Sequence, residues 1–328
     1  KAVTVVVQET TNEPSKNLRR YTGNPLLEPI NEHDWECKYV LNPGALRIND
    51  KVYLFYRAVG NDDVSHIGLA ITDGYQVLER LKEPIFSPAI PEEKMGCEDP
   101  RLIVIENRIW MLYTAYDGNI AQIAAASIGV EDFLERKYER WQREGLAFKN
   151  IWDKDAILFP ERIKGKYILY HRIEPSMWIT YMQELTFPCR EKHAIIIGPR
   201  PGRMWDSLKI GAGAQPIKTR YGWLLIYHGV DYKYVYRLGV ILVDLENPQK
   251  VIYRSPNPVL EPVEDYELGL SGAWVPNVVF TCGAVASSDK EILDDDDEIL
   301  VYYGAADTSI GMASATLAEL LPEKFRQK

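Results

Sequence analysis

Cysteine is scarce in this sequence, and its few copies form no pattern. The 328 residues contain four cysteines, with no CxxC pair and no paired histidines beside them: Cys37, Cys97, Cys189 and Cys282. Zinc sites and disulfide scaffolds need cysteines at close, repeated spacings. Neither a metal site nor a disulfide framework is therefore predicted, and reduced thiols indicate a cytoplasmic protein.

Long apolar runs and an excess of positive charge are also missing. No stretch approaches the ~18 apolar residues of a membrane span, and the polar first segment is too short for a signal peptide. The formal net charge is −9, from 38 Lys and Arg against 47 Asp and Glu. Nucleic-acid binding needs a broad positive face, so neither a membrane nor a nucleic acid is expected as a partner. Any anion must be bound by a local group of cations.

Apolar and aromatic side chains, in contrast, are plentiful. Hydrophobic residues make up 46% of the chain and charged residues 26%, so the chain can bury a core that offsets its conformational entropy. Twenty Tyr and eight Trp favour β-strands and offer stacking surfaces for sugar rings. These counts favour a soluble all-β carbohydrate protein, and residues 1–328 are expected to form a single domain.

One strand pattern recurs five times along the sequence. The copies are YLFYRA (53–58), WMLYTA (110–115), YILYHR (167–172), LLIYHG (224–229) and LVYYGA (300–305). Their fourth residues, separated by steps of 57, 57, 57 and 76, are Tyr56, Tyr113, Tyr170, Tyr227 and Tyr303. Each copy follows a shorter apolar strand and a turn. A period of ~50 residues built from short strands is typical of radial blades. The sequence therefore predicts a five-bladed β-propeller.

Two segments differ from this strand pattern. Residues 130–146, VEDFLERKYERWQREGL, have helical spacing and charge, which indicates a surface helix or a long connection between blades. The acidic run at 294–297 is interpreted as a solvated hairpin tip, because a calcium loop needs spaced rather than contiguous ligands. No residue is assigned to a metal.

Charged residues recur at one position of successive blades. Residues at the ends of the inner strands of a propeller share a pocket at one mouth. Just after the repeated tyrosine stand the basic residues Arg57, His171 with Arg172, and His228. Leading into successive blades stand Asp99, then Lys154 with Asp155, then Lys209. This recurrence at one blade position indicates an anion site. The carboxylates beside Arg101 by themselves fit a structural ion pair better than a catalytic acid.

Ten short motifs run in order over nearly the whole chain. They are NPGA (42–45), YLFYRA, GCEDPRL (96–102), WDKDAILFPE (152–161), YILYHR, KIGAGAQPI (209–217), GWLLIYHGV (222–230), VYRLGVILVDL (235–245), NVVF (277–280) and VYYGAADT (301–308). Together they resemble glycoside hydrolase family 130, the mannoside phosphorylases. NPGA departs from the family's NPAA-like or NPS-like segment, and the loop 231–237 is compact. The acceptor sugar and the β-1,4 or β-1,2 linkage therefore stay open.

The resemblance implies a five-bladed propeller that performs inverting phosphorolysis of a terminal β-mannosyl residue and yields α-mannose 1-phosphate. It implies that Asp99 is the general acid, acting through the mannose 3-hydroxyl. Inorganic phosphate is the co-substrate and no cofactor is expected, since phosphate needs positive charge rather than a base carboxylate. The implied phosphate-binding residues are Lys209, His228, Arg172, Tyr236 and Lys154. The implied mannose-binding residues are Asn42, Arg57, Glu98, Arg101, Asp155 and Asp307.

Two other functions remain compatible with the sequence. A β-mannosidase on the same fold would be expected to lack the basic phosphate residues and to place a base carboxylate near them. A non-catalytic sugar-binding propeller explains the aromatic residues and the repeat but not the cations. Retention of Lys209, His228 and Arg172 favours phosphorolysis. The protein is expected to be a homo-oligomer that binds a β-mannoside and phosphate.

Overall fold

Antiparallel β-sheet accounts for most of the regular structure in the computed structural model, which describes residues 14–327. The strands form five groups, which we call blades I to V. A single parallel bridge between Ser65 and Gly96 links blades I and II into one sheet. Within blades I to IV the chain runs from the inner to the outer strand, whereas the outer strand of blade V comes from the N-terminal side of the described chain.

The strand bounds are as follows. Blade I contains β2 (Tyr39–Ile48), β3 (Lys51–Val59), β4 (Ser65–Thr72) and β5 (Val77–Arg80). Blade II contains β6 (Gly96–Ile105), β7 (Arg108–Tyr116), β8 (Ala121–Gly129) and β9 (Gln142–Leu146). Blade III contains β10 (Lys154–Leu158), β11 (Tyr167–Ile173), β12 (Ser176–Met182) and β13 (His193–Ile197). Blade IV contains β14 (Lys209–Ala212), β15 (Ile217–Thr219), β16 (Gly222–Val230), β17 (Tyr236–Val243) and β18 (Val251–Arg254). Blade V contains β19 (Val279–Ala286), β20 (Glu298–Ala305), β21 (Ser309–Thr316) and, as its outer strand, β1 (Arg19–Arg20).

The five blades contact one another in a closed ring. β2 contacts β6, β6 contacts β10, β10 contacts β14, and β19 contacts both β16 and β2. Apolar side chains fill each of the gaps between neighbouring blades, so the core is divided into inter-blade clusters. This ring confirms the predicted five-bladed β-propeller.

Short helices occupy the connections. They are α1 (Val130–Leu134), α2 (Asp265–Leu268) and α3 (Leu317–Leu320), with 3₁₀ turns at Pro91–Glu93, Tyr138–Arg140 and Glu323–Phe325. Within residues 14–327, no helix has the length and apolar character needed to cross a bilayer. The helical pattern at 130–146 produces a helix of only five residues. Its last part becomes strand β9, because Leu146 pairs with Ala124 on the outer side of blade II.

In every blade a buried carboxylate bonds to a side chain of the strand that pairs with the inner strand. These strands are β3, β7, β11, β16 and β20. In four blades the carboxylate accepts a hydrogen bond from the repeated tyrosine and pairs with an arginine: Tyr56, Glu36 and Arg80; Tyr113, Glu93 and Arg143; Tyr227, Asp206 and Arg254; Tyr303, Glu267 and Arg20. In blade III, His171 bonds to Asp153 instead. The predicted alignment of Tyr170 with the other tyrosines is therefore wrong by one residue. His171, and not Tyr170, lies opposite the bulge in β10.

The arginine of blade V joins the N-terminal strand of the described chain to the last blade. Arg20 lies on β1, which pairs with β21, and its guanidinium donates to Glu267 at 2.7 Å. The Glu267 side chain is fully buried. This contact and the β1–β21 pairing together close the ring.

The neighbouring arginines of β1 provide a matched test of this closure. Arg20→Ala should lower the free energy of unfolding by about 3 kcal/mol, since it leaves the buried Glu267 carboxylate without its cation. Arg19→Ala should cost less than about 1 kcal/mol, because the Arg19 side chain is 57% exposed and its pair with Glu319 is solvated. Urea denaturation of both variants measures the difference. Equal losses would contradict a closing role for Arg20.

Candidate active site

A cavity of about 340 Å³ opens at one end of the ring axis, and all five blades contribute to it. Nine predicted site residues line it: Asn42, Arg57, Asp99, Lys154, Asp155, Arg172, Lys209, Tyr236 and Asp307. The lining residues that the sequence did not single out are Trp152, Glu174, Val275, Val278 and Phe280. The fold thus brings most of the predicted site together.

Three predicted residues lie beneath this cavity instead of in its lining. Glu98 is 5% exposed and holds the Arg57 guanidinium at 3.2 Å. Arg101 is 3% exposed and donates to the Gly213 carbonyl at 2.7 Å. His228 is completely buried, with its ring 4.4 Å from that of Phe280. These side chains support the lining residues from below.

β-Bulges turn the inner strands toward the axis at equivalent points. The strand register shifts in β2, β6 and β10, and the bulges contain Asn42, Asp99 and Asp155. These residues have positive φ angles of 47°, 53° and 56°. Asn and Asp tolerate this left-handed conformation better than most side chains, and bulges commonly re-aim side chains at functional sites. The bulges therefore explain why these residue types stand there.

Asp99 is held at the bottom of the cavity with 5% exposure. The Asn42 side-chain amide donates to its Oδ1 at 2.8 Å, and an Arg57 nitrogen lies 3.7 Å from the same oxygen. Among the described residues both contacts use Oδ1, which leaves Oδ2 for a ligand. Asp99 is therefore oriented as a group that can exchange a proton with a bound molecule.

Asp155 contacts basic side chains from three blades. Its carboxylate lies 3.1 Å from Arg101 and 3.3 Å from both Arg172 and His228. Burial alone would raise the pKa of Asp155, but Arg172, His228 and Arg101 hold that pKa well below its usual range. Asp155 is consequently ionised and pairs with the guanidinium groups of Arg101 and Arg172. Burial lowers the pKa of His228, against the opposing effect of Asp155.

A cluster of cations lines part of the cavity, which we call the cationic wall. It consists of Lys154, Arg172 and Lys209, with side chains 29%, 6% and 19% exposed. Glu174 bridges two of them, lying 3.0 Å from the Lys209 ammonium and 3.7 Å from Arg172. Burial would raise the pKa of Glu174, but Lys209, Arg172 and Lys154 lower it. The cationic wall therefore already binds one anionic group of the protein, the Glu174 carboxylate.

The pKa of Asp307 is shifted in the opposite direction to that of Asp155. Burial raises the pKa of its carboxyl to about 7, although Arg57 opposes the shift, and the nearby charge of Asp99 adds to it. Two carboxylates in one pocket repel each other, so one of them holds its proton more tightly. The cavity thus offers a proton-holding carboxyl close to neutral pH.

Exposed aromatic rings stand around the mouth. Trp152 is 48% exposed and lines the cavity, while Trp274 is 40% exposed and stacks on Tyr39 with ring centroids 4.7 Å apart. The guanidinium of Arg57 lies 5.2 Å from the Trp274 ring. Such rings fit the apolar faces of sugars. Carboxylates, cations and aromatic rings in one pocket suit a sugar together with an anion.

Comparison with known proteins agrees with this chemistry. A family model described as beta-1,4-mannooligosaccharide phosphorylase matches residues 17–323. A "Beta-1,2-mannobiose phosphorylase" from Thermoanaerobacter sp. (strain X514) is 40% identical over 310 residues, which cover 90% of this chain and 96% of the relative.

Solved structures share the fold over nearly its full length. The Listeria innocua beta-1,2-mannobiose phosphorylase in complex with beta-1,2-mannobiose matches with a TM-score of 0.78 at 26% identity, covering 93% of this chain and 98% of that one. Another match has a TM-score of 0.80 at 25% identity, covering 94% and 96%. The description of that structure states that the family of mannoside phosphorylases contains glycoside hydrolases that target beta-1,2 mannosidic linkages in Candida mannan.

The raised pKa of Asp307 predicts a pH-dependent stability. The folded protein keeps the Asp307 proton up to about pH 7, whereas the unfolded chain releases it near the ordinary value of 3.8. The wild type therefore loses stability as the pH rises between these values. Asp307→Asn lacks this loss, so its free energy of unfolding relative to wild type should rise by about 3 kcal/mol from pH 4 to pH 7. Urea denaturation across this range, without phosphate, measures it, and a difference independent of pH would contradict the shift.

Proposed function

The chain belongs to glycoside hydrolase family 130, and from this membership we propose how its pocket residues carry out the phosphorolysis of a terminal β-mannoside. The protein is an enzyme of the glycoside phosphorylase type, which transfers a mannosyl residue to inorganic phosphate and yields α-mannose 1-phosphate. The proposed roles depend above all on one observation. In a protein of net charge −9, three cations line one wall of a deep pocket beside Asp99.

Phosphate binds at this cationic wall. Lys154, Arg172 and Lys209 donate charge-assisted hydrogen bonds to its oxygens, and the Tyr236 hydroxyl contributes beside Lys209. His228 acts one layer below, through its contact with Asp155. A phosphate dianion is already a nucleophile, so the site needs positive charge instead of the second carboxylate of an inverting hydrolase.

Asp99 is the proton donor for the departing sugar. Its bulge and the hydrogen bond from Asn42 hold the carboxyl in the pocket. We assign the transfer to a path through the mannose 3-hydroxyl, which links the carboxyl to the glycosidic oxygen. Catalysis by a positioned acid contributes about 10²–10⁴-fold to such reactions.

The mannosyl ring lies against the carboxylate side of the pocket. Asn42, Arg57 and Asp307 provide hydrogen bonds to its hydroxyls, with Asp155 between the sugar and the phosphate. Glu98 and Arg101 take part indirectly, because Glu98 holds Arg57 and Arg101 holds Asp155. No cofactor enters this scheme.

The preferred substrate is a β-1,2-linked mannoside. The family model is described by the β-1,4 linkage, but the relative at 40% identity and the Listeria structure are both named for β-1,2-mannobiose. We also propose that the enzyme is a cytoplasmic homo-oligomer. The four cysteines support the location, since each is a free thiol in the structure.

Asp99→Asn tests the acid and excludes a sugar-binding protein. With phosphate and β-1,2-mannobiose, kcat should fall by about 10²–10⁴-fold, because the amide has no proton to donate. Binding of the disaccharide, measured by calorimetry, should remain. Wild-type activity should be higher on β-1,2- than on β-1,4-mannobiose. If wild type and variant are equally inert on both disaccharides but still bind them, the protein is a lectin-like propeller.

Glu174→Gln distinguishes phosphorolysis from hydrolysis. Glu174 is the pocket carboxylate that a β-mannosidase could use as its base, and it also pairs with Lys209. If phosphate binds at Lys209, removing this competing anion should lower the KM for phosphate by about threefold while turnover persists. The assay follows mannose 1-phosphate against phosphate concentration. A loss of activity together with phosphate-independent release of mannose by the wild type would establish the hydrolase.

A further inference from the structure

Blade III differs from the other blades in the side chains that support β11, the strand paired with its inner strand. Where the others use tyrosine, a carboxylate and arginine, blade III uses His171, Asp153 and His193. The Nδ1 of His171 lies 2.6 Å from the Asp153 carboxylate, and its Nε2 lies 3.2 Å from Nδ1 of His193. Asp153 and the His171 side chain are fully buried. This substitution occurs in the blade that carries two residues of the cationic wall.

Asp153 is bonded directly to the backbone of that wall. Its Oδ1 accepts the backbone amide of Arg172 at 3.1 Å, and Lys154, the next residue after Asp153, pairs with Arg172 across β10 and β11. The equivalent carboxylate of blade II, Glu93, accepts instead the amide of Ala89, which lies outside the pocket. A single carboxylate therefore fixes the two backbone points from which Lys154 and Arg172 project.

Hydrogen-bond chemistry sets the direction of these contacts. An ionised carboxylate has no proton to donate, so Nδ1 of His171 carries the proton of this bond and donates it to Asp153. Burial raises the pKa of Asp153, and the hydrogen bond from His171 opposes that shift. Phe148 stacks on the His171 ring with centroids 4.4 Å apart and prevents it from turning away.

We propose that His171 is a positioning residue for phosphate: its Nδ1–H holds Asp153, and Asp153 holds the backbone of Lys154 and Arg172. The inference rests on the proposed phosphate site. His171 touches neither phosphate nor sugar, so its effect reaches the reaction only through the placement of the two cations. Small displacements of charged groups in a site weaken binding strongly.

An asparagine and a glutamine at position 171 provide the test. The Asn side-chain amide can place an N–H close to the position of Nδ1, whereas the longer Gln places it near Nε2 and away from Asp153. His171→Asn should keep the KM for phosphate within about threefold of wild type, while His171→Gln should raise it by about tenfold or more, as expected for a lost hydrogen bond to a charged group. The KM for the mannoside and kcat at saturating phosphate should change much less in both.

Tyr113→Phe is the matched control in blade II. It removes the same kind of buried bond to a carboxylate, here Glu93, but that carboxylate holds no backbone of the cationic wall. Its melting temperature should fall while its KM for phosphate stays at the wild-type value. If Tyr113→Phe raises this KM as much as His171→Gln does, the effect is one of general stability and the inference is wrong.

Arg172→Gln separates this inference from the site on which it rests. An unchanged KM for phosphate in Arg172→Gln would overturn the phosphate site itself. A raised KM in Arg172→Gln with equal values for His171→Asn and His171→Gln would overturn only the role of His171. If His171→Gln does not fold, Asp153→Asn replaces it, because Asn has one acceptor oxygen, whereas the carboxylate accepts from Arg172 and His171 on different oxygens. A raised phosphate KM then supports the proposal and a wild-type value contradicts it.

Discussion

The active site depends on the buried, ionised carboxylate of Asp155. It contacts Arg101 from blade II, Arg172 from blade III and His228 from blade IV, so it links three blades around the pocket. Burying a carboxylate is costly unless cations and hydrogen bonds compensate, and here they lower its pKa well below the usual range. Removing Asp155 would leave positive groups crowded together without their counter-charge. The proposed phosphate site is therefore assembled around an anion of the protein itself.

The pocket combines two carboxyl groups in different settings. Asp155 lies between the guanidinium groups of Arg101 and Arg172 and stays ionised, whereas burial and the neighbouring Asp99 raise the pKa of Asp307. Asn42, Asp99, Asp155 and Asp307 all have positive φ angles. Such strained backbone positions persist where the surrounding structure determines them, commonly at functional sites. In this chain the regular propeller provides that support through its inter-blade clusters.

Much of the architecture could be predicted from the sequence, because each blade repeats a strand that ends near a buried tyrosine. The site could be predicted in outline, since the bulged residues recur at nearly constant spacing. The burial of Arg101 and His228 could not, because their partners are backbone carbonyls and Asp155 in other blades. Glu174 and Trp152 were missed although each lies two residues from a predicted cation, Arg172 and Lys154. The sequence did not show that His171 takes the place of the tyrosine of the other blades, because the adjacent Tyr170 keeps the sequence spacing regular.

Magnetic resonance of the products formed from β-1,2-mannobiose tests the central claim, that phosphate held by the cationic wall is the nucleophile. Proton and phosphorus spectra, recorded from the first minutes of the reaction, identify the sugar products and the anomer. With phosphate present, the account predicts equal amounts of mannose and α-mannose 1-phosphate, and no cleavage when phosphate is omitted. Release of two mannose molecules per disaccharide without phosphate, or a β-configured phosphate ester, would contradict it.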